Sequence, residues 1–197
     1  MKRPSLGCAD ALIVVDLQVD FCPGGALPVP EGDKVAPVLN RWLATARKSA
    51  AMIVATRDWH PVNHLSFQAQ GGPWPTHCVQ NSRGASFHAG LDLPPQTQIV
   101  SKGTAAGHQG YSAFEGTCLA RKLNRAGVKR VWIGGLALDY CVRATALDAI
   151  QAGFEVHLIK PATRAVNLRR GDGQRALCEL KIAGCIIEDG DLHAARR

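Results

Sequence analysis

The sequence predicts a single doubly wound α/β domain, with a mostly parallel six-stranded sheet and helices on both faces. Continuous apolar runs such as 11–15 are typical of strands buried on both faces. These runs alternate with segments whose apolar residues recur at helical spacing. Alternating strands and helices imply right-handed crossovers that cover both sides of a parallel sheet. We expect one domain over residues 1–197, with 1–10 as an N-terminal tail.

Six strands are predicted, most of them bounded by polar or glycine residues. In chain order they are 11–15, 52–56, 98–101, 131–133, 155–160 and 185–188. Residues 59–96 show no clear period and are rich in Pro, Gly, His and Gln. A loop of this length in a compact domain is usually functional.

Four helices are predicted, at 34–48, 117–126, 141–151 and 172–183. The first has a stripe of apolar residues at i, i+3, i+4 spacing, which consists of Val35, Val38, Leu39, Trp42, Leu43 and Ala46. Asp33 is its expected N-cap. Gly127, Gly153 and Gly184 are expected to end the other three, because glycine readily adopts the left-handed conformation that follows a helix.

The composition indicates a soluble globular protein and excludes several classes of partner. Hydrophobic residues make up 46% and charged residues 20% of the chain. No apolar run approaches the roughly 18 residues needed to span a bilayer, and the N-terminus lacks the apolar stretch of a signal peptide. The net charge is +7, but basic residues are spread along the chain without a nucleic-acid-binding module. We therefore expect neither membrane nor nucleic acid as a partner.

The cysteine pattern indicates free thiols. There are seven cysteines, and none forms a C-x-x-C pair. An odd number of scattered cysteines argues against a disulfide framework and against a zinc ribbon. Reduced thiols are typical of a cytoplasmic protein.

Chemically reactive side chains follow four successive predicted strands. They are Asp16, Asp58, Lys102 and Cys141. The carboxyl ends of parallel strands meet at one edge of the sheet, where ligand sites form. Cys141 follows a Gly-Gly turn at the predicted start of a helix, where free N–H groups and the helix dipole stabilise a thiolate. Taken singly, Asp16 also fits a loop cap, Lys102 a solvated strand end and Cys141 a small core residue.

The long loop carries a candidate metal site. Asp58 and His60 are two residues apart, so that an extended chain points both to one side. With His77 they form a two-histidine, one-carboxylate set that leaves positions open for water or substrate. His64 is either a fourth ligand or a residue behind the ligands. Ordinary surface or packing roles are expected for His88, His108, His157 and His193.

These residues lie in motifs that resemble the nicotinamidase/pyrazinamidase branch of the isochorismatase-like cysteine hydrolase superfamily. The motifs are Asp16-Leu17-Gln18-Val19-Asp20-Phe21, Pro23-Gly24-Gly25-Ala26-Leu27, Asp58-Trp59-His60-Pro61, Trp74-Pro75-Thr76-His77-Cys78-Val79-Gln80, Lys102-Gly103, Tyr111-Ser112-Ala113-Phe114 and Gly135-Leu136-Ala137-Leu138-Asp139-Tyr140-Cys141-Val142. The match runs from about residue 11 to 188. One departure is Gln109-Gly110, where family members often have an acidic residue.

The resemblance implies a metal-dependent amidase that converts nicotinamide, and also pyrazinamide, to the acid and ammonia in NAD salvage. It assigns Asp16, Lys102 and Cys141 to catalysis through a thioester. The oxyanion hole would be the N–H groups of Ala137 and Cys141, with a cis peptide before Ala137. Phe21, Leu27, Trp74, Leu136 and Tyr140 would bind substrate. Asp58, His60 and His77 would hold one divalent ion: Zn²⁺, with Fe²⁺ or Mn²⁺ as alternatives.

Three other functions stay open from the sequence. A cysteine hydrolase of the same fold that acts on a carbamoyl group or another small amide would need no pyridine-binding metal. An iron oxygenase would use the two histidines and one carboxylate but leave the thiol and lysine without a purpose. A basic binding protein of this fold would bind nucleic acid in a salt-sensitive way. The sequence is compatible with a monomer or a homo-oligomer.

Overall fold

The computed structural model describes residues 6–190, and its centre is a six-stranded sheet. The strands are β1 (Asp10–Val15), β2 (Met52–Asp58), β3 (Gln98–Lys102), β4 (Arg130–Leu136), β5 (Glu155–Arg164) and β6 (Ile186–Glu188). Their order is β3-β2-β1-β4-β5-β6, and every neighbouring pair is parallel. The predicted doubly wound parallel sheet is confirmed.

Within residues 6–190, four α-helices cover the two faces of the sheet. They are α1 (Ala36–Lys48), α2 (Leu119–Arg125), α3 (Arg143–Gln151) and α4 (Asp172–Ile182). The buried stripe of α1 packs with Leu12, Val14 and Ile53 on one face. Helices α2, α3 and α4 pack with Ile13, Val54 and Ile133 on the other. Alternate residues of each central strand thus serve opposite layers, which explains why those strands are apolar throughout.

Several predicted boundaries move. Asp10 already belongs to β1, and residues 1–5 of the predicted tail lie outside the described residues. The Asp33 side chain makes no cap, because a 3₁₀ turn (Gly32–Val35) leads directly into α1 and Pro37 lies in its first turn. Pro at this point has a preset φ and needs no amide partner. The helix predicted from Cys141 is also corrected, since a π-helical turn (Leu138–Val142) precedes α3.

The strand order reverses between β1 and β4, and this arrangement positions the site. In open parallel sheets, a crevice forms at such a reversal, beyond the carboxyl ends of the strands. Gly135 permits the close approach of the two strands there, since its φ is +125° and a Cβ would lie 2.0 Å from the Val15 carbonyl oxygen. The segments that leave β1 and β4 therefore start side by side.

Residues 59–96 form a long loop over this crevice. Within it the one described helical element is a 3₁₀ turn, Gln68–Gln70. An isolated bridge between Gln18 and Phe87 fastens the loop to the domain, and a second bridge, between His60 and Val79, joins two parts of the loop to each other. Among residues 6–190, no helix has the length and apolarity to cross a bilayer.

Candidate active site

A buried lysine lies at the centre of the crevice. The Nζ of Lys102 is 2.8 Å from an Asp16 carboxylate oxygen and 2.5 Å from Asp58 Oδ1. It also donates to Cys141 Sγ at 3.3 Å and to the Gly110 carbonyl oxygen at 3.0 Å. Lys102 is 1% exposed. The four residues predicted at strand ends therefore meet around one ammonium group.

Main-chain geometry fixes the Asp16 carboxylate against this ammonium. Asp16 follows β1 with a φ of +45°, which turns the chain away from the sheet. Its N–H donates to the Thr56 carbonyl oxygen at 3.2 Å, and the Thr56 hydroxyl donates to Asp16 Oδ1 at 2.6 Å. One oxygen is thus held by Thr56 while the other faces Lys102. The two contacts leave the carboxylate a single orientation.

Burial and charge pairing work against each other at these groups. Burial lowers the pKa of Lys102, but the Asp16 and Asp58 carboxylates outweigh it and hold that pKa well above its ordinary value. Burial likewise tends to raise the pKa of Asp58, yet Lys102 and His60 bring it below the usual range. For Asp16, burial prevails over Lys102 and its pKa is raised. The Lys102 ammonium therefore lies between two carboxyl groups whose pKa values are shifted in opposite directions.

The surroundings of Cys141 favour the thiol over the thiolate that a helix N-terminus alone would favour. Burial raises the pKa of Cys141 well above its ordinary value, and the opposing charge of Lys102 is too weak to reverse this. The cysteine also lies in the π-helical turn rather than at the first turn of an α-helix. A base is consequently needed to take its proton. Asp16 has an oxygen within 4.8 Å of the sulfur.

The turn before the cysteine has the backbone form that the resemblance implied. The Leu136–Ala137 peptide bond is cis. The Ala137 carbonyl oxygen accepts from the N–H groups of Tyr140 and Val142, at 3.1 Å each. Ala137 and Cys141 both line the same pocket.

Asp58, His60 and His77 have the donor atoms of a metal site. Their ligand atoms lie within 4.8 Å of one another. His60 Nδ1 is 2.9 Å from the Gly103 carbonyl oxygen, and His77 Nδ1 is 2.7 Å from the Pro75 carbonyl oxygen. Each contact requires a proton on Nδ1, so that the lone pair of the neutral ring is on Nε2. Lys102 donates a hydrogen bond to Asp58 Oδ1, whereas Asp58 Oδ2 lies 3.4 Å from His60 Nε2. This donor set fits a divalent cation.

His64 has hydrogen-bond partners at both ring nitrogens. Nε2 is 2.8 Å from the His108 carbonyl oxygen, which requires a proton there, and Nδ1 is 2.7 Å from the Ser66 hydroxyl. Its ring stacks on His60 with centroids 4.0 Å apart. In this arrangement neither nitrogen has a free lone pair. The geometry favours the second of the two predicted roles, support behind the ligands.

A pocket opens beside Cys141, His60 and His77. Four of the predicted substrate-binding residues line it: Phe21, Leu27, Trp74 and Tyr140. The Trp74 and Tyr140 rings meet edge to face with centroids 5.0 Å apart. Leu136 does not line the pocket. It is 1% exposed and packs in the core on the α1 side of the sheet.

Several lining residues escaped the sequence analysis as site residues. They are Val29, Ser66, Gln109, Tyr111 and Val166. Tyr111 accepts a hydrogen bond from the Trp74 indole at 2.9 Å and thereby fixes its ring. The Tyr-Ser-Ala-Phe motif was a signal for Tyr111. Val166 lies in the loop after β5, and no local pattern marks it.

His88, His108 and His157, the other histidines among residues 6–190 apart from His64, lie outside the cluster of Asp58, His60 and His77. His157 is 7% exposed, stacks on Trp132 and contacts Glu155 and Glu188 through its two nitrogens. His108 contributes its carbonyl to His64. His88 lines a different cavity near Cys22, and His193 lies outside the described residues.

Known proteins resemble this chain over most of its length. The isochorismatase domain matches residues 10–185. A nicotinamidase of Escherichia coli K12 is 38% identical, with 90% of this chain and 93% of the relative covered. The pyrazinamidase of Pyrococcus horikoshii, whose crystal structure is in complex with zinc, is 54% identical in sequence. The two structures match with a TM-score of 0.88 over 92% of this chain and 99% of that one. PnC1 from L. infantum, whose crystal structure is in complex with nicotinate, is 40% identical in sequence. The two structures match with a TM-score of 0.86 over 95% of this chain and 96% of that one.

Proposed function

This chain belongs to the isochorismatase family, and on that premise we propose that it hydrolyses nicotinamide to nicotinate and ammonia. Pyrazinamide is the second expected substrate. One observation supports this assignment above the others. Asp58 contacts Lys102 of the buried Asp16–Lys102–Cys141 cluster and also lies beside His60 and His77, so that the two groups meet at the wall of one pocket. Zinc-bound and nicotinate-bound relatives agree with it.

Acylation starts with a proton transfer from Cys141 to Asp16. The raised pKa of Asp16 makes it a better proton acceptor than an ordinary carboxylate, and Lys102 stabilises the sulfur anion as it forms. The sulfur attacks the carboxamide carbon and a C–S bond forms. The C–N bond then breaks, Asp16 returns the proton to the departing nitrogen, and ammonia leaves a thioester on Cys141. Water hydrolyses the thioester to nicotinate and restores the thiol.

Backbone donors stabilise the charge that develops on the carbonyl oxygen. We assign this role to the N–H groups of Ala137 and Cys141, which lie on one turn at the pocket wall. Fixed donors of this kind can each contribute on the order of 3 kcal/mol to the barrier.

Asp58, His60 and His77 would hold the ion, which we assign as zinc, with Fe²⁺ or Mn²⁺ as alternatives for this donor set. A bound ion would supply a Lewis acid to which the pyridine nitrogen of the substrate can bind. His64 holds the His60 ring in place by stacking. Phe21 and Trp74 flank the flat ring of the substrate, while Leu27 and Tyr140 close the pocket around it.

The biological setting follows from the reaction. Nicotinate formation is a step of NAD salvage, and the seven free cysteines fit the reducing cytoplasm. The partners are small molecules, without nucleic acid or membrane, and the chain acts as a monomer or homo-oligomer. A small-amide hydrolase without a metal is the second candidate, because the Asp16–Lys102–Cys141 cluster alone suffices for it.

Nicotinate formation by the purified protein, followed by chromatography, tests the proposal. The assay compares nicotinamide with pyrazinamide and a panel of carbamoyl and aliphatic amides, before and after chelation. We expect nicotinamide turnover that chelation suppresses and zinc restores. Cys141→Ala should reduce turnover by on the order of 10⁴-fold or more, whereas the exposed Cys178→Ala should not. Turnover restricted to non-pyridine amides and insensitive to chelation would replace this function with the second candidate.

A further inference from the structure

Two polar residues of the first loop contact the metal-ligand segments, and the proposed mechanism gives neither of them a role. They are Gln18 and Asp20, which follow Asp16 at alternate positions. Gln18 is fully buried. Asp20 directly precedes Phe21 of the substrate pocket.

The Gln18 carboxamide continues the sheet where β1 stops. Strand β1 pairs with β2 up to Val14 and Ala55, and the chain then turns away at Asp16. Three residues further along β2, the Asp58 N–H donates to Gln18 Oε1 at 2.8 Å, and Gln18 Nε2 donates to the Asp58 carbonyl oxygen at 2.8 Å. Nε2 makes a second bond, to the Ala85 carbonyl oxygen at 2.9 Å. The side chain therefore replaces a peptide group and fixes the Asp58 main chain at two points.

Asp20 holds the second ligand segment in a comparable way. Its Oδ2 accepts a hydrogen bond of 2.7 Å from the Cys78 N–H, which belongs to the peptide that follows His77. Cys78 has a φ of +45°, an uncommon conformation for a residue with a side chain. The other oxygen, Oδ1, accepts from Ala26 N–H at 3.2 Å. A Cβ on Gly84 would lie 2.1 Å from Asp20 Oδ2, which shows how closely the carboxylate is enclosed.

We infer that Gln18 and Asp20 are positioning residues that set the separation of Asp58 and His77 and so determine metal affinity. This inference rests on the proposed metal site. Asp58 and His77 are nineteen residues apart, and main-chain hydrogen bonds from the His60 N–H to the Cys78 carbonyl oxygen at 3.0 Å and from the Gln80 N–H to the His60 carbonyl oxygen at 2.8 Å pair their segments. Gln18 and Asp20 each hold one of these paired segments against the first loop. The first loop bridges both segments and also carries Asp16, so it fixes the metal ligands relative to the reacting groups. Partners one step removed from a metal commonly change its affinity 10–100-fold.

Zinc affinity of the full-length protein tests the inference without reference to turnover. Metal-free wild type, Gln18→Glu and Asp20→Asn are titrated with Zn²⁺ in competition with a chromophoric chelator. Gln18→Glu keeps an acceptor for the Asp58 N–H but sets a carboxylate oxygen against two carbonyls. Asp20→Asn sets an amide N–H against the Cys78 N–H or loses the contact with Ala26. We expect the zinc Kd to rise about 10–100-fold in each variant.

Asp139→Asn is the matched control. The Asp139 carboxylate also accepts from two main-chain N–H groups, of Val166 and Asn167 at 2.9 and 2.8 Å, but contacts no proposed metal ligand. Asp139→Asn should lower the thermal midpoint of the metal-free protein, as Asp20→Asn should, but it should leave the zinc Kd within twofold of wild type. If Gln18→Glu does not fold, the partly exposed Asp20→Asn carries the test.

The outcomes separate this inference from the proposed function. Unchanged zinc affinity in the folded variants would overturn the inference while nicotinamide hydrolysis by wild type still stood. A 10–100-fold rise in Kd would support the inference even if wild type preferred another amide. No zinc binding by wild type would overturn the metal site and the inference together.

Discussion

Replacing Lys102 by methionine should destabilise the protein severely, because the ammonium neutralises two buried carboxylates. Its Nζ is 2.8 Å from Asp16 and 2.5 Å from Asp58, and Lys102 is 1% exposed. Methionine fills a similar volume but leaves two acidic groups without a cation. Removing one partner of a buried ion pair costs about 3–5 kcal/mol, and with two carboxylates affected we expect the upper part of that range.

Urea unfolding in the presence of a chelator measures the effect. With an m-value of about 2 kcal/mol/M, the urea midpoint should fall by roughly 2–2.5 M. Lys160→Met is the matched control, since Lys160 also forms a lysine–carboxylate pair, at 2.6 Å from Asp189, but on the exposed surface. An exposed pair contributes about 0–1 kcal/mol. Equal midpoint shifts in the two variants would refute the reasoning.

The pH dependence provides a second check. In wild type, the lowered pKa of Asp58 gives stability that is present above its unfolded pKa of about 3.9 and lost as pH falls below it. Without Lys102, burial raises the pKa of both carboxyl groups, and the resulting penalty disappears as pH falls through the raised values. The difference in the free energy of unfolding between wild type and Lys102→Met should therefore be largest near neutral pH and become smaller towards pH 4. A gap that is constant over this range would mean that charge is not its cause.

Three further predictions concern the chemistry. Asp16→Asn should prevent acylation while the fold persists; rapid mixing should detect no burst of ammonia, and a normal burst would exclude Asp16 as the base. His60→Ala and His77→Ala should each lose bound metal by elemental analysis and raise KM for nicotinamide, whereas one ion per chain in either variant would contradict the ligand assignment. Alkylation of Cys141 by iodoacetamide, mapped by mass spectrometry, should be slow at pH 7 and accelerate through pH 9, because burial raises its thiol pKa; a rate already at its plateau by pH 7 would contradict a protonated resting thiol.

The convergence of the four strand-end residues was predictable because it depends on topology alone. Once apolar runs alternate with helical segments, parallel strands follow, and their carboxyl ends must share an edge. Asp16, Asp58, Lys102 and Cys141 could thus be assigned to one place before any coordinates. The candidate metal set was equally accessible, because Asp58 and His60 are two residues apart in the chain and His77 lies in a recognisable motif.

The protonation of these groups was not predictable, because it depends on the depth of burial. Helix-terminus chemistry favoured a Cys141 thiolate, yet desolvation outweighs it in the structure. The position of Leu136 illustrates a similar limit. Leu136 belongs to the motif that contains Cys141, but as the last residue of β4 it faces the core rather than the pocket, because successive side chains of a strand point to opposite faces.

Contacts made by loop residues escaped the sequence for a different reason. The partners of Gln18 are 40 and 67 residues away, and Val166 reaches the pocket from the loop after β5. Such contacts carry no periodic signal, since each depends on one turn of the chain. They become visible only when the whole path of the backbone is known.

The two oxygens of the Asp58 carboxylate contact different groups, and this limits how the protein can be redesigned. Since Oδ1 faces the ammonium and Oδ2 faces the imidazoles, any substitution at position 58 perturbs nucleophile activation and ion capture together. An amidase variant freed from its dependence on metal should therefore be sought through His77, which is not among the groups in contact with Lys102. The half of the cavity that we propose binds the pyridine ring can then be rebuilt for other amides without a change in the charges around Lys102.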